Sequence, residues 1–496
     1  MSNRGQDRVQ LHDDLNETFG DDADFVSRTI PVPSGRSDIN VHYIETLIDD
    51  EKLNEFVIVR LQDAHAELRG SAAADDLDRI QSTVLSVAKV YRSDKREQLV
   101  QAILTGQVAL TINGINDALV IPLPKREEAE VSETEPSIQS GNEAFTTSMS
   151  KNYNLLRLRL PSTKLMFRQM EIGRTSHTKV RVAWLNNAAK PQVVEELCGR
   201  LDRIDVDVVH SISVLTELTE DNPLSLWPQY KLTERVDVTV ANMAEGRVAI
   251  LCDGFPFVIV VPLLVLQEFQ TPDDYSQKWL FSSIMRMTRI GAFVLSSTLS
   301  SLYVSFVAYN HSIMPPSLAI RISAGRSEVP FPSVIEVLLM TFMIDVLKEA
   351  GIRLPKGLGQ SIGFLGAVVI GQSAVEAGYV SPVVIIIVAI SAISSFALPS
   401  INLTNMSRVT NYLLIILATL LGLFGVIIGL VYLLWRLVSL RSLGVSISHP
   451  MDVGRISLMK DMLIRSPVWK LRARPNVLSD NEKTMGDRTG KPDPNA

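Results

Sequence analysis

From Ile39 the chain alternates apolar and polar positions, and the run INVHYIETLI predicts a strand. Helical spacing follows in DDLDRIQSTVLSVAKVY and KREQLVQAILTG. Alternation then returns in QVALTING and DALVIPLP, a strand pair joined by an Asn113-Gly114 turn. These elements predict a small α/β unit over 39–124, preceded by a polar lead-in at 1–38 with one amphipathic stretch at Leu11–Phe19 and a turn at Pro31–Gly35. Residues 125–141 are acidic and poor in bulky apolar side chains, the pattern of a linker. A second α/β unit is expected over 142–285. Its pattern is a helix at Glu143–Leu160, a strand pair at Leu165–Trp184, helices at Pro191–Arg203 and His210–Leu218, and a closing strand pair at Val248–Val261.

The two units share an internal repeat. GQVALTINGINDALVIP from Gly106 to Pro122 matches GRVAILCDGFPFVIVVP from Gly246 to Pro262 at an offset of 140, which implies related folds. Asn113-Gly114 and Asp253-Gly254 fall at the same place in each copy, where a tight hairpin needs residues that tolerate positive φ.

Beyond Arg289 the pattern changes to long charge-free windows. Ile290–Tyr309, Gly357–Val375, Val380–Leu398 and Val409–Trp435 each approach the roughly 20 apolar residues that cross a bilayer. Phe331–Gly351 is nearly as hydrophobic but carries Glu336, Asp345, Lys348 and Glu349, which reads as an amphipathic or re-entrant segment. The expected fold class is therefore α/β plus a helical membrane domain: two tandem related α/β cytosolic units, then about four transmembrane helices and that extra helix. The membrane domain is placed at 286–436 and a basic cytosolic tail, disordered at its end, at 437–496. Arg436, Arg441, Arg455, Lys460, Arg465, Lys470, Arg472 and Arg474 favour a cytosolic C-terminus and an even number of crossings. Lys348, Arg353 and Lys356 conflict with the four-span arrangement, which puts them outside.

Within the apolar windows, polar groups stand out. Ser297, Ser301 and Ser305 form a stripe at helical spacing; Gln360, Gln372, Glu376 and Glu336 lie among apolar neighbours, where a charge is expensive unless it faces protein or a watery cavity. These seven are the candidates for a polar path. Gly359, Gly363, Gly366 and Gly371 are candidates for close helix packing.

Composition removes other classes. The net charge of −6 over 496 residues, with no basic cluster on a folded N-terminal segment, argues against nucleic acid. Cys198 and Cys252 are far apart and outside any CxxC pair, so buried free thiols are expected, with no metal site and no cofactor. The polar, acidic start has no signal-peptide h-region, which leaves the N-terminal half cytosolic. No zinc-protease, phosphate-loop or serine-nucleophile motif is present, so no enzyme is expected; IGRTSHTK at 172–179 reads as a turn between strands.

The block RSEVPFPSVIEVLLMTFMIDVLKEAGIRLPKGLGQSIGFLGAVVIGQSAVEAGYVSP resembles the centre of the A subunits of GerA-type spore germinant receptors. The likeness extends through GNEAFTTSMSKNYNLLRLRL, IGRTSHTKVRVAWL, EGRVAILCDGFPFVIVVP and DMLIRSPVWKLRARP, from about residue 11 to 475. Val236 stands where the family usually has proline, Thr341 where it commonly has an acid, and LGVSISHPMD is unlike the usual proline-rich version. The resemblance implies a subunit in the inner membrane of bacterial spores that homo-oligomerises in membrane lipid into a cation channel opened by a nutrient. It also implies a transporter-like B subunit and a lipoprotein C subunit as partners. Without the resemblance, the residues leave open an assembly scaffold, in which the helices only anchor, and a secondary transporter.

Overall fold

Both strand-rich units form five-stranded antiparallel sheets with the same strand order. The computed structural model describes residues 11–480 apart from 21–23, 31–37, 64–76, 79, 85–88, 113–114, 116, 126–128, 133, 136, 138, 140, 354–368, 370, 450–460 and 471–473. In the first unit the strands are β1 (Phe25–Ile30), β2 (Ile39–Ile44), β3 (Tyr91–Ser93), β4 (Gln107–Ile112) and β5 (Ala118–Pro122), ordered β1-β2-β4-β5-β3. Helices α1 (Leu11–Phe19) and α2 (Arg96–Leu104) cover one face through Leu15, Phe19, Leu99 and Ile103. Helical turns at 50–63 cover the other through Leu53, Val57 and Leu61. Burial on both faces encloses even the polar residues of these strands, Asn40 and His42 in β2 and Thr111 in β4.

Three expectations need correction here. The lead-in 1–38 is not a separate segment, because α1 and β1 are integral to the first unit: Leu15 and Phe19 are buried and β1 is an edge strand of the sheet. The helix expected through DDLDRIQSTVLSVAKVY ends before Tyr91, which starts β3, since pairing with β5 outweighs local spacing. The linker 125–141 is held rather than free where it is described. Glu130–Val131 pairs with Glu143–Ala144, and Glu234 Oε1 accepts from Ser132 Oγ and from the N–H groups of Thr134 and Glu135.

The second unit has helices α3 (Met149–Arg159), α4 (Pro191–Asp202), α5 (Ile212–Thr219) and α6 (Val236–Ala244). Its strands are β6 (Leu165–Ile172), β7 (Thr178–Leu185), β8 (Lys231–Thr233), β9 (Val248–Cys252) and β10 (Val258–Val261), ordered β6-β7-β9-β10-β8. The repeat extends well beyond the hairpin: β3 and β8, then α2 and α6, lie at the same offset of 140. The ladder registers also correspond, Val108 facing Ile121 as Val248 faces Val261. Asn113-Gly114 lies outside the described residues, while Asp253-Gly254 makes the turn, with Gly254 at φ 86° and Asp253 Oδ1 accepting from Met149 N at 3.0 Å. IGRTSHTK turns between β6 and β7, and Arg174 ion-pairs there with Asp205. Cys198 and Cys252 are free and buried in one core, where burial pushes the Cys252 thiol up to about 12.

The C-terminal segment is part of that core too. Leu440, Leu443, Val445, Ile447, Met462 and Leu478 pack with Val261, Leu264 and Val265, and Ser442 Oγ donates to Gln229 O at 2.6 Å. Residues 440–449 and 461–480, where described, are therefore a closing strap; 481–496 lie outside the described residues.

Between these parts the described residues include the helices α7 (Trp279–Ala308), α8 (Pro316–Arg326), α9 (Ser333–Arg353), α10 (Pro382–Phe396), α11 (Ile401–Leu421) and α12 (Leu423–Ser439). Among the described residues, α7 alone is long and apolar enough to cross a membrane by length and composition. Two expectations change. Phe331–Gly351 is not re-entrant: it belongs to one continuous 21-residue helix, about 31 Å long. Val409–Trp435 is not one helix, because Gly422 at φ 61° reverses the chain and α12 folds back on α11. A Cβ at Gly425 would lie 2.1 Å from Leu417 O, so only glycine permits the approach.

Two measurements test this description. Gly246 has φ 104°, and a Cβ there would stand 2.7 Å from Leu478 O and 2.8 Å from Ala188 O. Gly246→Ala is expected to lower unfolding stability by about 2–4 kcal/mol in denaturant titration. Burial, with Glu217 and Asp221 nearby, raises Glu220 to about 7. The folded state thus binds this proton more tightly than the unfolded chain, and the associated stability is lost as pH rises from about 4.5 through 7. Glu220→Gln should flatten the pH dependence of the melting temperature in that window.

Candidate functional site

Helix α7 is the axis of the helical region, packed on α9, α10, α11 and α12. Its base is fixed to the second unit by a buried carboxylate. Asp274 accepts two hydrogen bonds of 2.9 Å from Arg289, and Arg286 lies 3.3 Å away. Arg286 also donates to Met462 O, which brings the C-terminal strap to the same point. Tyr275 Oη donates to Asp461 Oδ2 at 2.8 Å, and burial holds the Asp461 carboxyl above the usual range. The far end of α7 meets the α11–α12 reversal, where Tyr309 Cγ lies 3.1 Å from a Cβ built on Gly422.

The serine stripe lies inside this packing. Ser297, Ser301 and Ser305 are buried, and each hydroxyl donates to its own helix, at Phe293 O, Thr298 O and Leu302 O. Within one chain the stripe is a helix seam. The neighbouring Ser296 O accepts from Ser391 Oγ of α10 at 2.9 Å, a buried interhelical hydrogen bond.

Glu336 is fully buried at the end of the bundle remote from the α/β units. Oε1 lies 3.3 Å from Arg326 Nε, and Oε2 accepts from Ser381 N at 3.0 Å, at the N-terminus of α10. The cation and the helix terminus both stabilise the carboxylate there. Gln372 and Glu376 are exposed and bond to each other at 2.9 Å, away from Glu336 and the serines. Gly371 is buried, but a Cβ there would meet Ile385 only at 3.8 Å, an ordinary contact. Gln360, Gly359, Gly363 and Gly366 lie outside the described residues.

A second polar group was missed by sequence reasoning, which treated the charges of Phe331–Gly351 only as a mark of amphipathicity. Asp345 lies 3.2 Å from Arg408 Nε and accepts from Tyr412 Oη at 2.8 Å, while Lys348 Nζ donates to Ser395 Oγ at 2.9 Å. The signal was Arg408 and Asn411 one turn apart at the polar edge of the apolar window Val409–Trp435. Gly425 and Gly429 were also missed, although they stand four residues apart as small residues do at close helix crossings.

Two duplicated α/β units joined to a helical bundle with buried ion pairs define the architecture. The chain belongs to the Bacillus/Clostridium GerA spore germination protein family, whose model matches residues 13–477. It is 31% identical to spore germination protein GerLA of Bacillus cereus over 480 residues, covering 96% of this chain and 97% of that one. It is 30% identical over 420 residues to YfkQ of Bacillus subtilis (strain 168), described as a membrane protein, covering 84% and 82% of the two chains. The crystal structure of the N-terminal domain of the A subunit of the Bacillus megaterium spore germinant receptor GerK3 aligns with 50% of this chain and 92% of its own, at 26% identity and TM-score 0.38.

Removing the buried carboxylate while leaving its partners should be costly. Glu336→Ala is expected to destabilise the bundle by about 3–5 kcal/mol. Glu336→Gln, which keeps an acceptor for Ser381 N, should lose less. Thermal unfolding of the detergent-solubilised chain measures both.

Proposed function

We propose that this chain acts in spore germination as the membrane-embedded A-type subunit of a nutrient-responsive receptor, and that several copies together form a cation path. The observation that carries the reading is the family match, which runs through both α/β units and the whole helical bundle. It is supported by the exposed apolar side chains of the helices, including Val294, Ile393 and Phe424. Exposed Trp279 and Trp435 lie at the end next to the α/β units and exposed Tyr309 and Tyr379 at the other, the spacing of interfacial aromatic belts.

The path of the chain supports an even number of crossings. Trp227 Nε1 donates to Leu433 O and Leu437 enters the second unit's core, so α12 ends where α7 begins. Helices α9 and α10 run the same way, because Glu336 and Ser381 meet at one end and Lys348 and Ser395 at the other. Residues 354–368 and 370, which join them, lie outside the described residues. Lys348 and Arg353 then lie on the side of the α/β units and the basic tail, which removes the charge conflict of the four-span arrangement. In this reading the α/β units and both termini are cytosolic, the membrane is the inner membrane of the spore, and a transporter-like B subunit and a lipoprotein C subunit are the partners.

A second reading is favoured by one observation: Glu336 and the serine stripe are enclosed within a single chain. Helices so packed serve an anchor, with the α/β units recruiting partners. Potassium release from loaded liposomes separates the two. With the channel reading, release depends on the chain and its partner subunits and changes in Glu336→Gln; absence of release from folded, oriented complex favours the scaffold.

A further inference from the structure

Helices α7, α9, α10 and α11 line a partly open cavity of about 30 Å³ next to the Asp345 ion pair. That is room for one or two water-sized groups. Thr341, Asp345, Lys348, Ser391, Arg408 and Asn411 line it. Thr341 and Asn411 are 8% and 5% exposed, and Thr341 Oγ1 and Asn411 Oδ1 have no hydrogen-bond partner among the described residues.

The charges around the cavity do not balance. Asp345 is already occupied by Arg408 at 3.2 Å and by the Tyr412 hydroxyl. Lys348 has a neutral hydroxyl and the Phe396 ring, 4.8 Å away, as its partners. Two cations and one carboxylate leave one positive charge at a partly buried cavity lined largely by hydroxyl groups, and a charge withdrawn from water without a counterion is costly. Spare donors also outnumber spare acceptors, with the Lys348 ammonium, the Arg408 fork and the Thr341 hydroxyl against the Asn411 oxygen.

We infer that this cavity is a binding site for a small monovalent anion of halide size, held between Lys348, Arg408 and Thr341. A water would satisfy hydrogen bonds but leave the charge, and a metal cation would be repelled by both basic groups. Carboxylate or phosphate ligands are too large for the space. The bound anion pins α9 against α10 and α11, and the inference does not depend on whether the chain conducts ions.

The test is thermal unfolding of the full detergent-solubilised chain at constant ionic strength, with sodium chloride or bromide replacing sodium gluconate. A saturable rise of several degrees with halide is expected. Lys348→Met should abolish it, and Thr341→Val should move the half-maximal halide concentration upward several-fold. If Lys348→Met does not fold, Thr341→Val alone carries the test. Equal melting in halide and gluconate, or a halide response unchanged in the folded variants, overturns the assignment.

Discussion

One buried carboxylate sets the relation between the two halves of this protein. Asp274 is 1% exposed in its side chain and pairs with Arg286 and Arg289 near the start of α7, with Asp461 as the second carboxylate beside Arg286. Arg286 is fully buried, and such a charge is tolerated only with a partner in place; losing one costs several kcal/mol, about 3–5 in typical cases. The bidentate contact with Arg289 also fixes direction, since two parallel hydrogen bonds allow little rotation. The strap joins the same cluster through Asp461 and Met462. The angle at which the long helix leaves the second unit, and hence the placement of every helix packed on it, follows from this group.

Much of the soluble fold was legible because its signals are local. The repeated hairpins could be read from matching strings, and the corresponding registers of β4–β5 and β9–β10 are what that likeness implies. Strands β1, β3 and β8 were not legible, since β3 and β8 have only three residues each and exist through pairing with a distant strand. In the helical region, composition revealed the apolar windows but not the reversal at Gly422, because an apolar run looks the same whether it continues or turns back. The site residues divide in the same way. Glu336 was legible as an isolated acid, but its partners Arg326 and Ser381 come from elsewhere in the chain and no spacing announces them. The serine stripe has a true helical period, yet period alone cannot distinguish a seam from a path.

The helical bundle keeps two ion-pair groups in separated places. Glu336 with Arg326 holds the remote end, while Asp345 with Arg408 and Lys348 lies nearer the α/β units. Between them the packing is largely apolar, through Val304, Val384 and Ile415, with the α7 serine hydroxyls bonded within their own helix. Such interiors repack between discrete arrangements rather than deform continuously, and buried ion pairs at either end of an apolar waist fix which arrangement is adopted. In the channel reading, opening requires these pairs to exchange partners or the waist to separate between copies.

The strap has a consequence for biosynthesis. The ribosome delivers β10 long before Leu443, Ile447 and Leu478, so the core of the second unit stays unfinished while the helices are being made. Leu264 and Val265 find their final neighbours only when the last part of the chain arrives on the same side as the first. In the membrane-spanning reading, a helix threaded the wrong way would leave the strap on the far side of the bilayer and Val261, Leu264 and Val265 uncovered. Closure of the second unit would in that reading act as an inspection step for the parity of insertion.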